Sequence, residues 1–236
     1  MRIEDMTTEE FARAMKSDPL VFLPLGATEG HGPHLPLSTD SLQPEWLCEA
    51  LADRFDGLVA PLLSYGQHSS TRNMAGTLSL RAETLKMAVI DILESLERHG
   101  ARKVVVVSGH AGMVHLAAVK GACEEFVRKT DASVMVLTDY DIAYKFPIEK
   151  DPEYPDGHGG LIETSRILAI KPELVKTKRE RAKFIDPHFM ITKDPERFYP
   201  QGFVGDAAKA TANLGNEINE FIFKRMVELI EKNFEA

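Results

Sequence analysis

Four short apolar runs lie in the first 140 residues: Leu20–Leu25, 58–63, Lys103–Ser108 and 133–139. None alternates strictly between apolar and polar positions, which is the pattern of strands covered on both faces. Between and after them the spacing becomes that of helices. Thr7-x-x-Glu10 has the form of a capping box and opens a first helix. Pro44 suits the first turn of a helix over 44–55, and an amphipathic stretch over 81–99 is closed by Gly100. Further helices are expected over 113–130, from the glycines at 159 and 160 to Ile170, and over 211–234. Strands alternating with helices of this length predict βαβ units, a mainly parallel sheet and a three-layer α/β/α sandwich. Two stretches, 144–160 and 183–205, are rich in Pro, Gly, Asp and aromatic residues. They read as long loops over one face, a length that compact domains reserve for binding loops or lids.

Composition narrows the setting. The 236 residues are 44% hydrophobic, enough for one large α/β domain over 1–236 with a full core. The formal net charge of −8, with no basic block longer than the short cluster at 176–181, argues against a nucleic-acid partner. No apolar run approaches a membrane span and the acidic N-terminus lacks a signal-peptide core, so a cytoplasmic protein is expected. Cys48 and Cys123 stand alone in helical segments and are expected to be buried, reduced thiols.

The candidate chemistry follows the first strand. Glu29-Gly30-His31-Gly32-Pro33-His34, with Asp40 shortly after, places carboxylate and imidazole groups on a rigid glycine- and proline-containing loop. A histidine beside a carboxylate is commonly a surface ion pair. Here, however, each strand run is followed by ligand-capable residues: Gln67 and His68 after the second, Ser108 and His110 after the third, Asp139 and Asp141 after the fourth. Parallel strands deliver their carboxyl ends to one edge, where open α/β sheets bind ligands. Such a donor set suits divalent cations, zinc first, with iron or manganese as alternatives. A dinuclear site is the natural arrangement, with Asp40 bridging, Glu29 and His110 completing one ion and His31 the other. A hydroxide held between two such ions attacks a carbonyl at neutral pH. In Asp156–Ser165, Glu163 is explained either by the helix dipole or as the last ligand of the second ion. His158 is a candidate acid/base or substrate contact. His34 and His68 are placed at the mouth of the site, whereas His99, His115 and His188 take structural roles and Trp46 belongs to the core. Ser108 lacks the first glycine of a nucleophile elbow, and there is no H-E-x-x-H, Walker A or G-x-G-x-x-G motif.

The stretch Leu23-Pro24-Leu25-Gly26-Ala27-Thr28-Glu29-Gly30-His31-Gly32-Pro33-His34-Leu35-Pro36-Leu37-Ser38-Thr39-Asp40 resembles the signature of the creatininase family, metal-dependent amidohydrolases. Gly76-Thr77-Leu78-Ser79-Leu80, Ser108-Gly109-His110-Ala111-Gly112 and His158-Gly159-Gly160-Leu161-Ile162-Glu163-Thr164-Ser165 resemble later segments of the same family, in order. No distinctive match is visible beyond Ser165. The resemblance implies an α/β/α sandwich, a two-metal site and a homo-oligomer, often a hexamer. It makes Glu29, His31, Asp40 and His110 ligands, with Asp40 bridging. Creatinine-hydrolysing members carry a carboxylate two residues after the position of His110. This chain has Gly112 there, which leaves Glu163 as the fifth ligand, and it has no tryptophan in 144–160. The implied reaction is hydrolysis of a non-peptide C–N bond in a small amide or cyclic amide, with His158 or Glu163 handling the leaving nitrogen's proton. A second expectation is deformylation of a formamidopyrimidine ribonucleotide, as in archaeal flavin and deazaflavin synthesis, with Arg72, Arg81 or Lys145 holding the phosphate. A third, of another class, is a non-catalytic metal- or ligand-binding protein on the same scaffold.

Overall fold

The computed structural model describes residues 1–149 and 151–234. The capping box forms as read: the Thr7 hydroxyl accepts from the Glu10 amide, Glu10 accepts the Thr7 amide at 2.8 Å, and α1 (Thr8–Ala14) follows. The strands are β1 (Leu20–Leu25), β2 (Leu58–Val59), β3 (Lys103–Ser108) and β4 (Ser133–Thr138). They form one parallel sheet in the order β2-β1-β3-β4. β2 is shorter than the apolar run 58–63 because Pro61 has no N–H to donate. The pairing resumes only at a single bridge between Leu25 and Leu63.

Helices cover both faces. Val21, Leu23, Leu25, Val104 and Val106 pack on one side against α3 (Ala82–Arg98) and α4 (Met113–Val127). Phe22, Val105 and Val107, the alternate positions, face α2 (Thr39–Phe55), α6 (Leu161–Ile170) and α7 (Ala212–Phe234). Every residue of β1 and all but Lys103 of β3 are therefore buried whichever way they point, which is why these runs show no polar alternation. The edge strand β4, by contrast, is half-buried at Val134, Met135 and Val136. The result is an α/β fold with a four-stranded parallel sheet flanked by helices.

Further boundaries and short elements differ from the expectation. α2 begins at Thr39 rather than Pro44, so Asp40 sits in the first turn of a helix, and Pro44 lies inside it. Gly109 answers that proline: a Cβ there would collide with the Asp40 carbonyl and the Pro44 ring. α4 stops at Val127, where the Thr130 hydroxyl bonds the Phe126 carbonyl and closes the turn. After β4 the chain enters the short helix α5 (Tyr140–Ala143), and the residues 183–205 are bounded by a two-stranded antiparallel ladder of β5 (Arg181–Ala182) and β6 (Gly205–Asp206). Elements of two to four residues carry no periodicity to read. No helix among the described residues is long and apolar enough to cross a membrane.

The register positions the site. Leu25 pairs with Ser108 and Ser108 with Thr138, so β1, β3 and β4 end level with one another. The segments that carry Glu29, His31 and His110 consequently leave the sheet at one edge.

Candidate metal centre

At that edge five acidic and imidazole side chains meet: Glu29, His31, Asp40, His110 and Glu163, each at most 7% exposed. Asp40 stands in the middle. Its Oδ1 is 3.0 Å from His31 Nε2 and its Oδ2 is 2.9 Å from His110 Nδ1. Glu163 Oε2 lies 3.3 Å from the same His31 nitrogen, and Glu29 Oε2 lies 2.9 Å from the same His110 nitrogen. The carboxylate of Asp40 thus joins two donor groups, one of His31, Asp40 and Glu163, the other of Glu29, Asp40 and His110.

The backbone fixes which nitrogen each imidazole offers. His31 donates Nδ1–H to the Glu29 carbonyl at 3.1 Å, and His110 donates Nε2–H to the Gln67 carbonyl at 3.0 Å. The lone pairs of His31 Nε2 and His110 Nδ1 then point inward, the orientation in which a second partner holds a metal-ligating histidine. Among the described residues, Glu29 Oε2 and His31 Nε2 are buried without a hydrogen-bond partner. Buried polar atoms are rarely left so, and converging oxygen and nitrogen donors of this kind fit a divalent cation.

The electrostatics agree. Burial pulls the His31 imidazole down, but Asp40, Glu163 and Glu29 outweigh it and lift it to about 10. Burial likewise opposes protonation of His110, and Glu29 and Asp40 carry it well above the usual imidazole range. The Glu29 and Asp40 carboxyls resist their own desolvation and are held low by the facing imidazoles. Glu163 goes the other way, raised by burial more than His31 and His158 lower it. The cluster is an anionic pocket that draws in positive charge, as protons on the histidines or as cations.

The remaining residues are distributed less simply. His158 is partly exposed, its ring centroid 4.1 Å from that of His31, and its Nε2–H donates to the Gly30 carbonyl at 2.8 Å. Glu163 accepts the Gly159 amide at 2.7 Å, so its place in the first turn of α6 and its place in the cluster are the same contact. His34 and His68 are not at the mouth but buried. His34 Nε2 bonds the Gly159 carbonyl at 3.0 Å, and His68 Nε2 lies 3.8 Å from Glu29 Oε2. Asp139 does not reach the cluster. It forms a fully buried ion pair with Arg166 at 2.7 Å, while Asp141 is exposed. Two strand ends, those of β1 and β3, therefore supply four of the five donors, and the first turn of α6 supplies Glu163. A Cβ at Gly112 would stand 2.5 Å from His110 Nε2, so a side chain two after His110 would have to displace that ring.

Several supporting residues had no signal of their own in the sequence. Thr71 donates its hydroxyl to Glu29 Oε1. His115 accepts the Gln67 amide at 3.2 Å and donates to Ser108 Oγ at 3.1 Å, and that hydroxyl bonds both the amide and the carbonyl of His110. The histidine read as structural is structural, yet it braces the turn that presents His110. Asn73 ties the site loop to the stretch 183–205 through the Lys193 carbonyl and Glu196, both at 2.9 Å.

Known proteins are similar to this chain in sequence, and solved structures in fold. Creatinine amidohydrolase of Pseudomonas putida is 32% identical, with 98% of this chain and 96% of that protein covered. A mycofactocin precursor peptide peptidase of Mycobacterium ulcerans is also 32% identical, over 89% of this chain and 82% of its own. Among solved structures, a manganese creatininase superposes with a TM-score of 0.90 at 29% identity, covering 100% of this chain and 99% of its own. A zinc–zinc form of a creatininase variant follows at 0.86 and 30%, covering 100% and 98%. The family model Creatininase, described as creatinine amidohydrolase, matches residues 4–230, well past the last motif visible at Ser165. With the fold, the strand-end cluster and near-complete matches in agreement, this chain belongs to the creatininase family of hydrolases.

Proposed function

We propose that the chain is a dinuclear metal-dependent amidohydrolase that opens a non-peptide C–N bond in a small amide or cyclic amide. The observation that carries this reading is the two-sided carboxylate of Asp40, one oxygen toward His31 and the other toward His110. Glu29, Asp40 and His110 would hold one divalent ion, and His31, Asp40 and Glu163 the other, with zinc first and manganese or iron as alternatives. When bound, the ions supply Lewis acidity toward a carbonyl oxygen and a nucleophile drawn from water at neutral pH.

The protein's own groups do the rest. His158 is the member of the set that reaches solvent, and with its Nε2–H held by Gly30 its Nδ1 is the free basic atom. That atom takes and returns the proton needed by the leaving nitrogen. Burial of the other five donors suits a small substrate that excludes water as it enters. The resemblance implies a carboxylate two residues after His110 in creatinine-hydrolysing members, and Gly112 offers none there, which favours a substrate other than creatinine. The phosphorylated-nucleotide alternative has weaker support: the Arg72 guanidinium turns to the Thr192 and Lys193 carbonyls, and Arg81 and Lys145 are exposed.

The test is metal content per chain in protein purified without chelator or added metal, followed by a screen of small amides, cyclic amides, formamides and peptides. About two equivalents of transition metal, and amine release from an amide or cyclic amide but not from peptides, are expected. Cleavage confined to peptides would overturn the bond assignment. Protein that neither contains nor rebinds metal would overturn the dinuclear site.

A further inference from the structure

His68 is the one imidazole of the cluster's surroundings that nothing explains. It is 2% exposed, yet neither ring nitrogen has a hydrogen-bond partner among the described residues. Its buried neighbours behave differently, since His34 bonds the Gly159 carbonyl and His115 is bonded through both nitrogens. A histidine buried only for packing ordinarily satisfies at least one nitrogen. The backbone also aims the ring: the His68 amide donates to Ser79 Oγ at 2.9 Å, beside the bridge between Gly66 and Ser79.

The ring faces the Glu29 side of the cluster. His68 Nε2 is 3.8 Å from Glu29 Oε2, and its ring centroid is 4.8 Å from that of His110. Glu29 Oε1 is occupied by the Thr71 hydroxyl, which leaves Oε2 facing both imidazoles. One donor atom from each of Glu29, His68 and His110 falls within 4.8 Å of the others. Donors at ordinary zinc distances in a tetrahedron stand about 3.4 Å apart. The separations of 2.9 and 3.8 Å from Glu29 Oε2 to His110 and His68 lie on either side of that value.

We infer that His68 is a fourth protein donor on this side, making the centre asymmetric. The inference rests on the two-metal reading above. Glu29, His110 and His68 would form one donor group, with Asp40 reaching it through its contact with His110. Together they would make the more completely closed position, the form of a tightly held structural site. His31, Asp40 and Glu163 would leave the other position open, as catalytic sites are. His158, the partly exposed residue, has its ring against His31, and a donor atom of it also falls within 4.8 Å of one from Glu29. The substrate's carbonyl is then received on the His31 side, and the His68 side anchors the bridging carboxylate.

The experiment is a cobalt(II) titration of metal-stripped protein against a competing chelator, followed by visible absorption. Wild type is expected to take up two equivalents in two steps of different affinity. His68→Ala should weaken the tighter step by about 100-fold or more and alter the cobalt absorption, leaving the weaker step in place. His68→Gln, which keeps most of the volume and is checked by circular dichroism and thermal melting, should show the same loss. Folded variants with an unchanged tight step and spectrum would remove His68 from the ligand set while leaving the two-metal reading standing. A wild-type protein that takes up no cobalt would remove that reading and this one together.

Discussion

Asp40 is where the two donor groups meet, so its removal separates a shared ligand from an ordinary one. Asp40→Ala is expected to lower the affinity for both ions and reduce turnover by at least about 100-fold; a variant that kept two metals per chain and full turnover would dismiss the bridging role. His115 tests the support behind the cluster. Its replacement by Ala strips partners from the Gln67 amide and Ser108 Oγ, a loss of about 1–3 kcal/mol in denaturant unfolding, with metal affinity falling about 10- to 100-fold. A merely structural histidine would show the first effect without the second. At this scale the sequence was informative for residues with a local pattern, Glu29, His31 and Asp40, whose spacing on one rigid loop is visible. Thr71 and His68 lie on an irregular segment, and their relation to Glu29 is a contact across more than 38 positions that no local pattern encodes.

Among the elements, the placement of α6 is the informative case. Arg166, three residues after Glu163, is fully buried. It reaches Asp139 at the end of β4 and Asn219 on α7 at 2.8 Å, and its guanidinium lies over the Tyr140 ring. Burial raises the Asp139 carboxyl even with Arg166 beside it, and Asp139 Oδ1 and Arg166 Nη1 have no hydrogen-bond partner, so the pair is only partly satisfied. Asp139→Ala leaves the guanidinium buried and unpaired, and is expected to cost about 3–5 kcal/mol in urea unfolding. Equal stability of the variant and wild type would show that the pair contributes nothing net. Helix and strand positions were largely legible, since β1, β3 and α6 have the expected limits. Asp139 shows where that legibility stops. A carboxylate after a strand looks the same whether it will face a ligand or an arginine from a helix 27 positions later.

For the whole molecule, proton linkage gives a testable curve for metal-free protein. Burial lowers His34 and His68 to about 4 and His115 to about 3. Each takes up its proton on unfolding at higher pH than in the fold, so their contribution is complete above about 6.5 and is lost as pH falls toward 4. His31, raised to about 10, acts oppositely: its contribution is present below about 6.5 and is lost as pH rises toward 10. Urea midpoints should therefore be highest near neutrality and fall on both sides, and bound metal should flatten the alkaline limb by replacing the histidine protons. A flat profile between pH 4 and 10 would contradict these burial effects. The α/β class, the order of elements and the signature loop were determined by sequence alone, because apolar runs, capping residues and a rigid glycine–proline loop are local and leave their period in the chain. Which strand ends supply donors, that Asp40 turns one oxygen to each side, and that His68 lies beside Glu29 were decided only by tertiary structure. Those facts depend on the level ends of β1, β3 and β4 and on side chains meeting across distant segments, where geometry rather than spacing selects the partner.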